Sequence, residues 1–200
     1  MKTNLVNRLM LLAGISLLAF ACGGSKEDQA LEKVAKELGM DKEKLKSKSF
    51  YSYEVSGGSL DGQTFTTPVY AQAGIDTRWD ENRKINASTI GFVDPLQGNS
   101  TFRMIWEDDR ISPLKPEENP FGENSFVELK VAKDDEKHVF LSQSGSYKLI
   151  SKKPKTWVDQ ITKEGYLVLD IEAEFEGDFI ETSTGQKVKI KGWVKGFDPR

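Results

Sequence analysis

The last part of the chain alternates between apolar and charged residues, and this pattern constrains the fold more than any other feature. Between residues 165 and 197 the period is two, interrupted only by the polar segment 183–186. Such alternation predicts a long antiparallel hairpin with one buried face and one solvent-exposed face. The predicted apolar face consists of Leu167, Leu169, Ile171, Ala173, Phe175 and Phe179 on the outgoing strand and of Val188, Ile190, Gly192 and Val194 on the return strand.

The opposite face of this hairpin carries acids on the outgoing strand and lysines on the return. A two-residue turn at 184–185 would make the numbers of opposed residues add up to 369. Asp178 would then face Lys191, and Glu174 would face Lys195. Opposite charges across a ladder contribute about 0.2–1 kcal/mol each and help to set the register.

From residue 50 onward, short β-branched and aromatic runs recur between glycine, asparagine and proline turns. They predict a mainly β fold, an antiparallel β-sandwich or a partly closed barrel with a short N-terminal helical segment, in one domain over 49–200. With one cysteine among 200 residues, no intramolecular disulfide can form. The predicted strands are 50–56, 64–70, 85–92, 101–106, 126–131, 138–141 and 147–150.

The first 21 residues have the composition of a secretory signal peptide. Lys2 and Arg8 precede an apolar run at 9–20, which is shorter than the ~20 residues that a membrane-spanning helix needs. Cys22 follows, and residues 22–29 are small and then charged, as expected of a flexible tether. Removing residues 1–21 changes the net charge from −3 to −5, with 26 basic against 31 acidic residues. An exported chain of this charge is not expected to bind nucleic acid.

The segment Ala19-Phe20-Ala21-Cys22 resembles the cleavage box of bacterial lipoproteins, with Ala19 at the usual leucine position. This resemblance implies that Cys22 is acylated, for example with palmitate, and that membrane lipid is a partner of the chain. The expected location is the bacterial cell envelope, at the outer membrane. Residues 26–28 are similar to the surface-export signals of Bacteroidota lipoproteins but also suit a solvated linker, so the choice between periplasmic and surface faces stays open.

Two further segments carry weaker indications. Residues 61–65 resemble an opening shared by small β-sheet lipoproteins of Bacteroidota, which implies no activity. Leu31, Val34, Ala35 and Leu38 recur at helical spacing and predict a helical stem over 30–48. Its sequence looks like a DNA-binding helix-turn-helix, but a stem directly behind a lipid anchor and without a third helix does not fit that function.

The sequence contains no recognisable catalytic set and implies no cofactor. His138 is the only histidine and is predicted to lie at the surface, beside the acidic run 134–136. Serine nucleophile motifs are absent, and nitrogen and sulfur ligands are too few for a zinc site. Neither 108–109 nor 134–136 has the spacing of a calcium loop, so no metal site is predicted. A glycan hydrolase with two carboxylates remains an alternative, because the separation of its acids depends on the fold.

The strongest candidate for a binding element is the segment 107–125, which contains three prolines and shows no periodicity. Trp106 stands at its entrance, Phe121 lies within it, and Trp79 occupies another polar segment. These three aromatic residues are the predicted ligand-binding residues. The sequence thus favours a lipid-anchored, non-enzymatic module that binds an envelope glycan, a lipophilic ligand or a protein partner. An accessory subunit of an envelope complex is a further alternative.

Overall fold

The structure is a computed structural model of the chain. It describes residues 48–68, 71–95, 99–108, 113–114, 117–133 and 136–197, together with positions 28, 31, 32, 35, 36, 41 and 42; the side chains of 99 and 166–168 are outside the description. Residues 28, 31, 32, 35, 36 and 42 are helical. The rest of the predicted stem, the signal peptide and Cys22 lie outside the described residues.

The described residues form ten antiparallel strands and one turn of 3₁₀ helix at Gly58–Leu60. The strands are β1 (Phe50–Ser56), β2 (Thr64–Thr66), β3 (Gln72–Asp80), β4 (Ile85–Asp94), β5 (Asn99–Glu107), β6 (Asn119–Pro120), β7 (Phe126–Lys133), β8 (Glu136–Val158), β9 (Gly165–Glu181) and β10 (Lys187–Gly196).

All ten strands belong to one sheet that curls into a half-barrel. The order is β2-β1-β10-β9-β8-β7-β5-β4-β3, and β6 pairs with β8 outside this path. The curl brings β10 close to β3 and β4, since a methyl group on Gly196 would meet the side chains of Ile75 and Ile90. The prediction of a mainly β antiparallel fold is confirmed, and the curled sheet corresponds to the partly closed barrel.

The inner face of the curled sheet forms the core. Phe102 lies at its centre, with its ring 5.0 Å from that of Tyr51 and 5.8 Å from those of Phe92 and Phe175. All four side chains are at most 3 % exposed. Aromatic groups of this size dominate the burial of apolar surface, so a half-barrel of this width can be filled without a second sheet.

The predicted C-terminal hairpin exists, but its register is wrong by two residues. Opposed residues add up to 367, so Lys191 faces Glu176 and Lys195 faces Glu172. Four residues, not two, separate Glu181 from Gln186, whose carbonyl accepts the Glu181 N–H at 2.9 Å. A shift by an even number keeps each side chain on its predicted face, so the apolar face is still buried.

Three other strand predictions also need correction. The strand expected over 64–70 is found at Thr64–Thr66, residues 67 and 68 are not in a strand, and residues 69 and 70 lie outside the described residues. The predicted polar segment around Trp79 belongs to β3. The two strands expected at 138–141 and 147–150 are parts of the single strand β8.

β8 continues as one strand through its serine- and glycine-rich middle because two glycines of neighbouring strands face each other there. Gly145 pairs with Gly177 of β9, next to a β-bulge between Ser142 and Ser144. Gly145 has φ +112°, in the left-handed region that favours glycine. A Cβ on Gly145 would collide with the backbone carbonyl of Glu176. The close approach of the two strands therefore requires glycine at both positions.

We expect Gly145→Ala to lower the free energy of unfolding by about 2–4 kcal/mol, because it adds backbone strain to a steric clash. Urea unfolding of the variant would measure the loss. The matched control is Gly74→Ala on β3, where an added methyl group meets nothing within 4 Å. Equal effects of the two substitutions would contradict this account of the strand crossing.

Candidate functional site

The inner face of the half-barrel ends in polar residues on β4 and β5. Phe102, Met104 and Trp106 alternate inward along β5 and are each 1 % exposed or less. Asp108 directly follows β5, and its backbone N–H donates to the Asn86 carbonyl of β4 at 2.8 Å, which continues the pairing by one residue. Its side chain is only 7 % exposed, as the next inward position requires. The alternation of β5 therefore carries a carboxylate into the end of the barrel directly after three large apolar side chains.

A β-bulge in β8 turns Lys152 toward the same place. The ladder with β9 shifts between Leu149 and Ser151, which makes Ile150 an extra residue on β8. Leu149 is buried on the inner face, so regular alternation would put Ser151 inside and Lys152 outside. The extra residue reverses this phase, and Lys152 pairs with the buried Ile171. Bulges commonly re-aim a side chain in this way.

Lys152 and Asp108 form a buried ion pair. The Nζ atom of Lys152 contacts Oδ1 of Asp108, and the two side chains are only 4 % and 7 % exposed. The indole Nε1 of Trp106 donates to the second carboxylate oxygen, Oδ2, at 3.1 Å. Desolvation offsets much of the attraction in such a pair, so its hydrogen bonds are needed to hold it. Two full charges are thus fixed beside an apolar wall.

A cavity of about 500 Å³ lies against this ion pair, and we call it the end cavity. Its walls include Trp106, Leu114, Leu149 and the ring of Tyr147, besides the ion pair and a third charged residue, Glu107. Small-molecule sites are typically of this size and combine apolar walls with a few polar groups that orient the ligand. The end cavity therefore has the composition of a site for a molecule with both an apolar and a polar part.

Tyr147 contributes an un-ionised hydroxyl group to the end cavity. Burial raises the pKa of Tyr147, the hydrogen bond with Ser125 acts in the opposite direction, and the carboxylates of Asp108 and Glu107 add to the rise. The hydroxyl lies 3.5 Å from the Ser125 Oγ atom. At neutral pH it can donate one hydrogen bond and accept others.

The three predicted ligand-binding aromatics lie at different distances from the end cavity. Trp106 lines it directly. Phe121 packs on Tyr147, with 6.1 Å between the ring centroids. Trp79 pairs with Asn86, a lining residue, and is 48 % exposed. Trp106 thus forms a wall, Phe121 supports a wall, and Trp79 stands one strand away; their role in ligand binding stays a prediction.

The described part of the 107–125 segment folds over the end cavity. Pro113 and Leu114 line it, and Asn119–Pro120 form the short strand β6 against β8. The Phe121 N–H donates to the Gly145 carbonyl at 3.0 Å, which fixes the segment to the strand crossing. The segment predicted as a binding loop is therefore part of the wall.

Two central residues of the end cavity were not predicted as binding residues. Asp108 was considered only as a calcium ligand together with Asp109, which lies outside the described residues. Lys152 gave no signal, because it belongs to a lysine-rich stretch that is typical of a solvated strand face. Only the bulge at Ile150 places it inside, and a bulge of this kind leaves no clear mark in the sequence.

A second concavity of about 620 Å³ lies on the outer face across β8, β9 and β10. Its charged residues oppose one another in the ladders, as Lys191 does with Glu176 and with Glu54, whose carboxylate is 3.7 Å from the Lys191 Nζ atom. The Oγ atoms of Ser144 and Ser146 donate to Asp178 and Glu118. Cross-strand pairing accounts for these groups, so we place the candidate site in the end cavity instead.

The prediction of a surface position for His138 is wrong. The histidine is only 6 % exposed, and its Nδ1 lies 2.6 Å from Oε1 of Glu181, which is 3 % exposed. His138 is the third residue of β8 and shares the inward phase of Phe140, whose ring lies parallel to the imidazole. The pair joins the start of β8 to the end of β9, away from the residues that line the end cavity.

No protein-family model, curated protein or solved structure matches the chain. Within the described ranges, no helix has the length and apolar character needed to cross a membrane. The same part of the chain contains no group of three or more histidine, cysteine, aspartate or glutamate side chains that could hold a metal ion. The acidic residues 134 and 135 lie outside it.

We expect Glu181→Gln to destabilise the protein by about 1.5–3 kcal/mol near neutral pH, the usual contribution of hydrogen bonds to a charged group. Burial acts to raise the pKa of Glu181, but hydrogen bonds from Thr184 and His138, the charge of His138 and a hydrogen bond from Ser183 bring the pKa below its usual value of 4.5. A lowered pKa means that the stabilisation is present above pH 4.5 and is lost as the pH falls through the folded-state value.

Urea unfolding of wild type and variant at neutral and at acidic pH measures this dependence. The difference between the two proteins should be largest near pH 7 and shrink below about pH 4.5. Glu123→Gln, at an exposed position, serves as the control and should change little at either pH. A Glu181→Gln effect that is the same at both pH values would contradict the ion-pair interpretation.

Proposed function

We propose that this chain is a lipid-anchored protein of the bacterial cell envelope that binds a small amphiphilic molecule in the end cavity and catalyses no reaction. The observation that carries the binding function is the buried Asp108–Lys152 pair beside the apolar walls of a 500 Å³ cavity. The resemblance of residues 19–22 to a lipoprotein cleavage box supports the anchor.

The chemistry of the walls defines the class of ligand. A ring or short acyl group would pack on Trp106, Leu114 and Leu149, where it loses contact with water. A polar group would lie near the Lys152 ammonium, whose charge Asp108 neutralises, and near the Tyr147 hydroxyl. Convergent polar groups beside apolar walls orient a ligand and select among ligands of similar size.

The alternative of a glycan hydrolase has less support. Its two acids would most readily come from the outer concavity, where several carboxylates already oppose lysines or accept hydrogen bonds from serines. The end cavity offers Asp108, whose carboxylate is bound by Lys152 and Trp106. The pairing of these acids fits structural and binding roles better than a pair of catalytic acids.

The binding proposal can be tested with 1-anilinonaphthalene-8-sulfonate, an aromatic probe with a single anionic group. We expect one probe molecule per chain with a Kd of about 40 µM, from about 0.3 kcal/mol for each of its roughly 20 non-hydrogen atoms. Leu114→Trp should fill the end cavity and weaken binding at least tenfold. Fluorescence titration measures both values.

The matched control for this titration is Lys189→Gln in the outer concavity, which removes a lysine without touching the end cavity. Its affinity for the probe should equal that of the wild type. Absence of probe binding, or weakening by Lys189→Gln and not by Leu114→Trp, would exclude the end cavity as the site.

The anchor is tested separately by replacing the single cysteine. In a bacterial host that processes lipoproteins, the wild-type chain should incorporate labelled palmitate and sediment with membranes. Cys22→Ser should abolish both, because no other thiol is present in the chain. A Cys22→Ser chain that still takes up the label would refute acylation at this residue.

A further inference from the structure

The β8–β9 hairpin extends beyond the rest of the sheet. Among the described residues, 153–158 of β8 and 165–170 of β9 pair only with each other. Leu169 is still buried in the core, but from residue 155 to residue 158 the strand is largely exposed. At about 3.3 Å per residue, this ribbon projects more than 10 Å from the body before its turn begins.

The turn at the end of the ribbon has a defined conformation. The Asp159 N–H donates to the Glu164 carbonyl, and the Lys163 N–H donates to the Asp159 carbonyl, both at 2.9 Å. Oδ1 of Asp159 accepts the backbone N–H groups of Ile161 and Thr162 at 2.7 and 2.9 Å. These hydrogen bonds lower the pKa of Asp159, so the carboxylate stays ionised and the turn stays closed at neutral pH.

This ordered turn presents apolar side chains to water. Ile161 is 91 % exposed and Val158 is 44 % exposed; among the large apolar side chains that the structure describes, that of Ile161 is the most exposed. An ordered turn does not need an isoleucine at such a position, and the residues that do shape it are Asp159 and Lys163, which has φ +61°. The exposed side chains therefore suit contact with an apolar phase outside the chain.

Both basic and acidic residues lie around the apolar tip. Lys153 and Lys155 lie on the ribbon and Lys163 in the turn, and these three lysines outnumber the two acidic residues of the turn, Asp159 and Glu164. The Lys155 Nζ atom lies 2.9 Å from Oδ1 of Asp170 on the paired strand. Lysine stems can lie along an apolar surface while the ammonium groups reach anionic headgroups, an arrangement typical of segments at a membrane interface. This contrasts with the outer face of β9 nearer the body, which is acidic at residues 170–178.

We propose that the tip of the β8–β9 hairpin, residues 158–163, inserts into the headgroup region of an anionic lipid bilayer and orients the half-barrel on the membrane. Two apolar side chains alone give only weak affinity for a membrane. The inference therefore rests on the proposed anchor, which holds the tip at a high local concentration near the bilayer. A tether at residue 22 makes the second contact intramolecular, and a weak contact then suffices to fix an orientation.

The test attaches the processed chain, starting at Cys22, to vesicles through a maleimide lipid that reacts with its only thiol. This replaces acylation, so the test does not depend on whether cells acylate Cys22. The vesicles contain phosphatidylglycerol and brominated phosphatidylethanolamine in equal parts, because bromine quenches tryptophan fluorescence at short range. Trp157 is adjacent to Val158 and reports on the tip.

We expect quenching that largely disappears in Trp157→Phe and falls at least twofold in Ile161→Asp. Val93→Asp is the matched control, since Val93 on β4 is 42 % exposed and lies outside the hairpin. It should leave quenching unchanged. Lys163→Glu should reduce quenching on anionic vesicles, where it removes an attraction to the headgroups.

Equal quenching in Ile161→Asp and Val93→Asp, or quenching that persists in Trp157→Phe, would overturn the proposal. Because these substitutions lie at exposed or half-buried positions, far-ultraviolet circular dichroism of each protein without vesicles should match the wild type. Failure of this test with normal palmitate incorporation in cells would reject the tip contact and leave the anchor in place. Quenching as expected in this test, together with no palmitate incorporation in cells, would reject the anchor and leave the tip contact in place.

Discussion

The ladder between β8 and β9 is the constraint on which the rest of the structure depends. It pairs residues from Phe140 to Val158 with residues from Glu181 back to Gly165, so its course determines the curl of the sheet and the length of the projecting hairpin. A pair of strands of this length can follow the curl of the sheet and keep its pairing only if the strands can bend. The Gly145–Gly177 crossing and the two bulges in β8 supply that freedom.

The phase of β8 also determines what the half-barrel contains at its end. Because the second bulge follows Leu149, a residue that regular alternation would expose becomes part of the interior, and Asp108 lies where it can neutralise the charge. A core built only for stability would place an apolar residue there, since such a replacement is often neutral or stabilising. The presence of a buried charge pair beside a cavity is therefore the best indication that this end of the barrel binds something.

Much of the fold could be predicted from the sequence, but only part of the site could. Trp106 and the 107–125 segment were singled out and line the end cavity, whereas the Asp108–Lys152 pair was not predicted as a binding element. Alternation in 165–196 specified both faces of the last hairpin, and even a two-residue error in register left each face correct. β3 was missed because Ile75 is its only buried large apolar residue, which leaves an edge strand with little pattern. His138 was misjudged and Lys152 was overlooked for a related reason. Charged neighbours in the sequence suggest that a side chain is exposed to solvent. The face on which a strand residue lies depends instead on pairing over long sequence distances, and this pairing turns both side chains inward.

A double-mutant cycle on Asp108 and Lys152 tests the central claim most directly. The variants are Asp108→Asn, Lys152→Met and their combination, each measured by urea unfolding and by titration with the anilinonaphthalene probe. We expect a coupling free energy of about 1.5 kcal/mol or more in unfolding, with the double variant folded but binding the probe at least tenfold more weakly. Additive effects on stability together with unchanged probe affinity would contradict that claim.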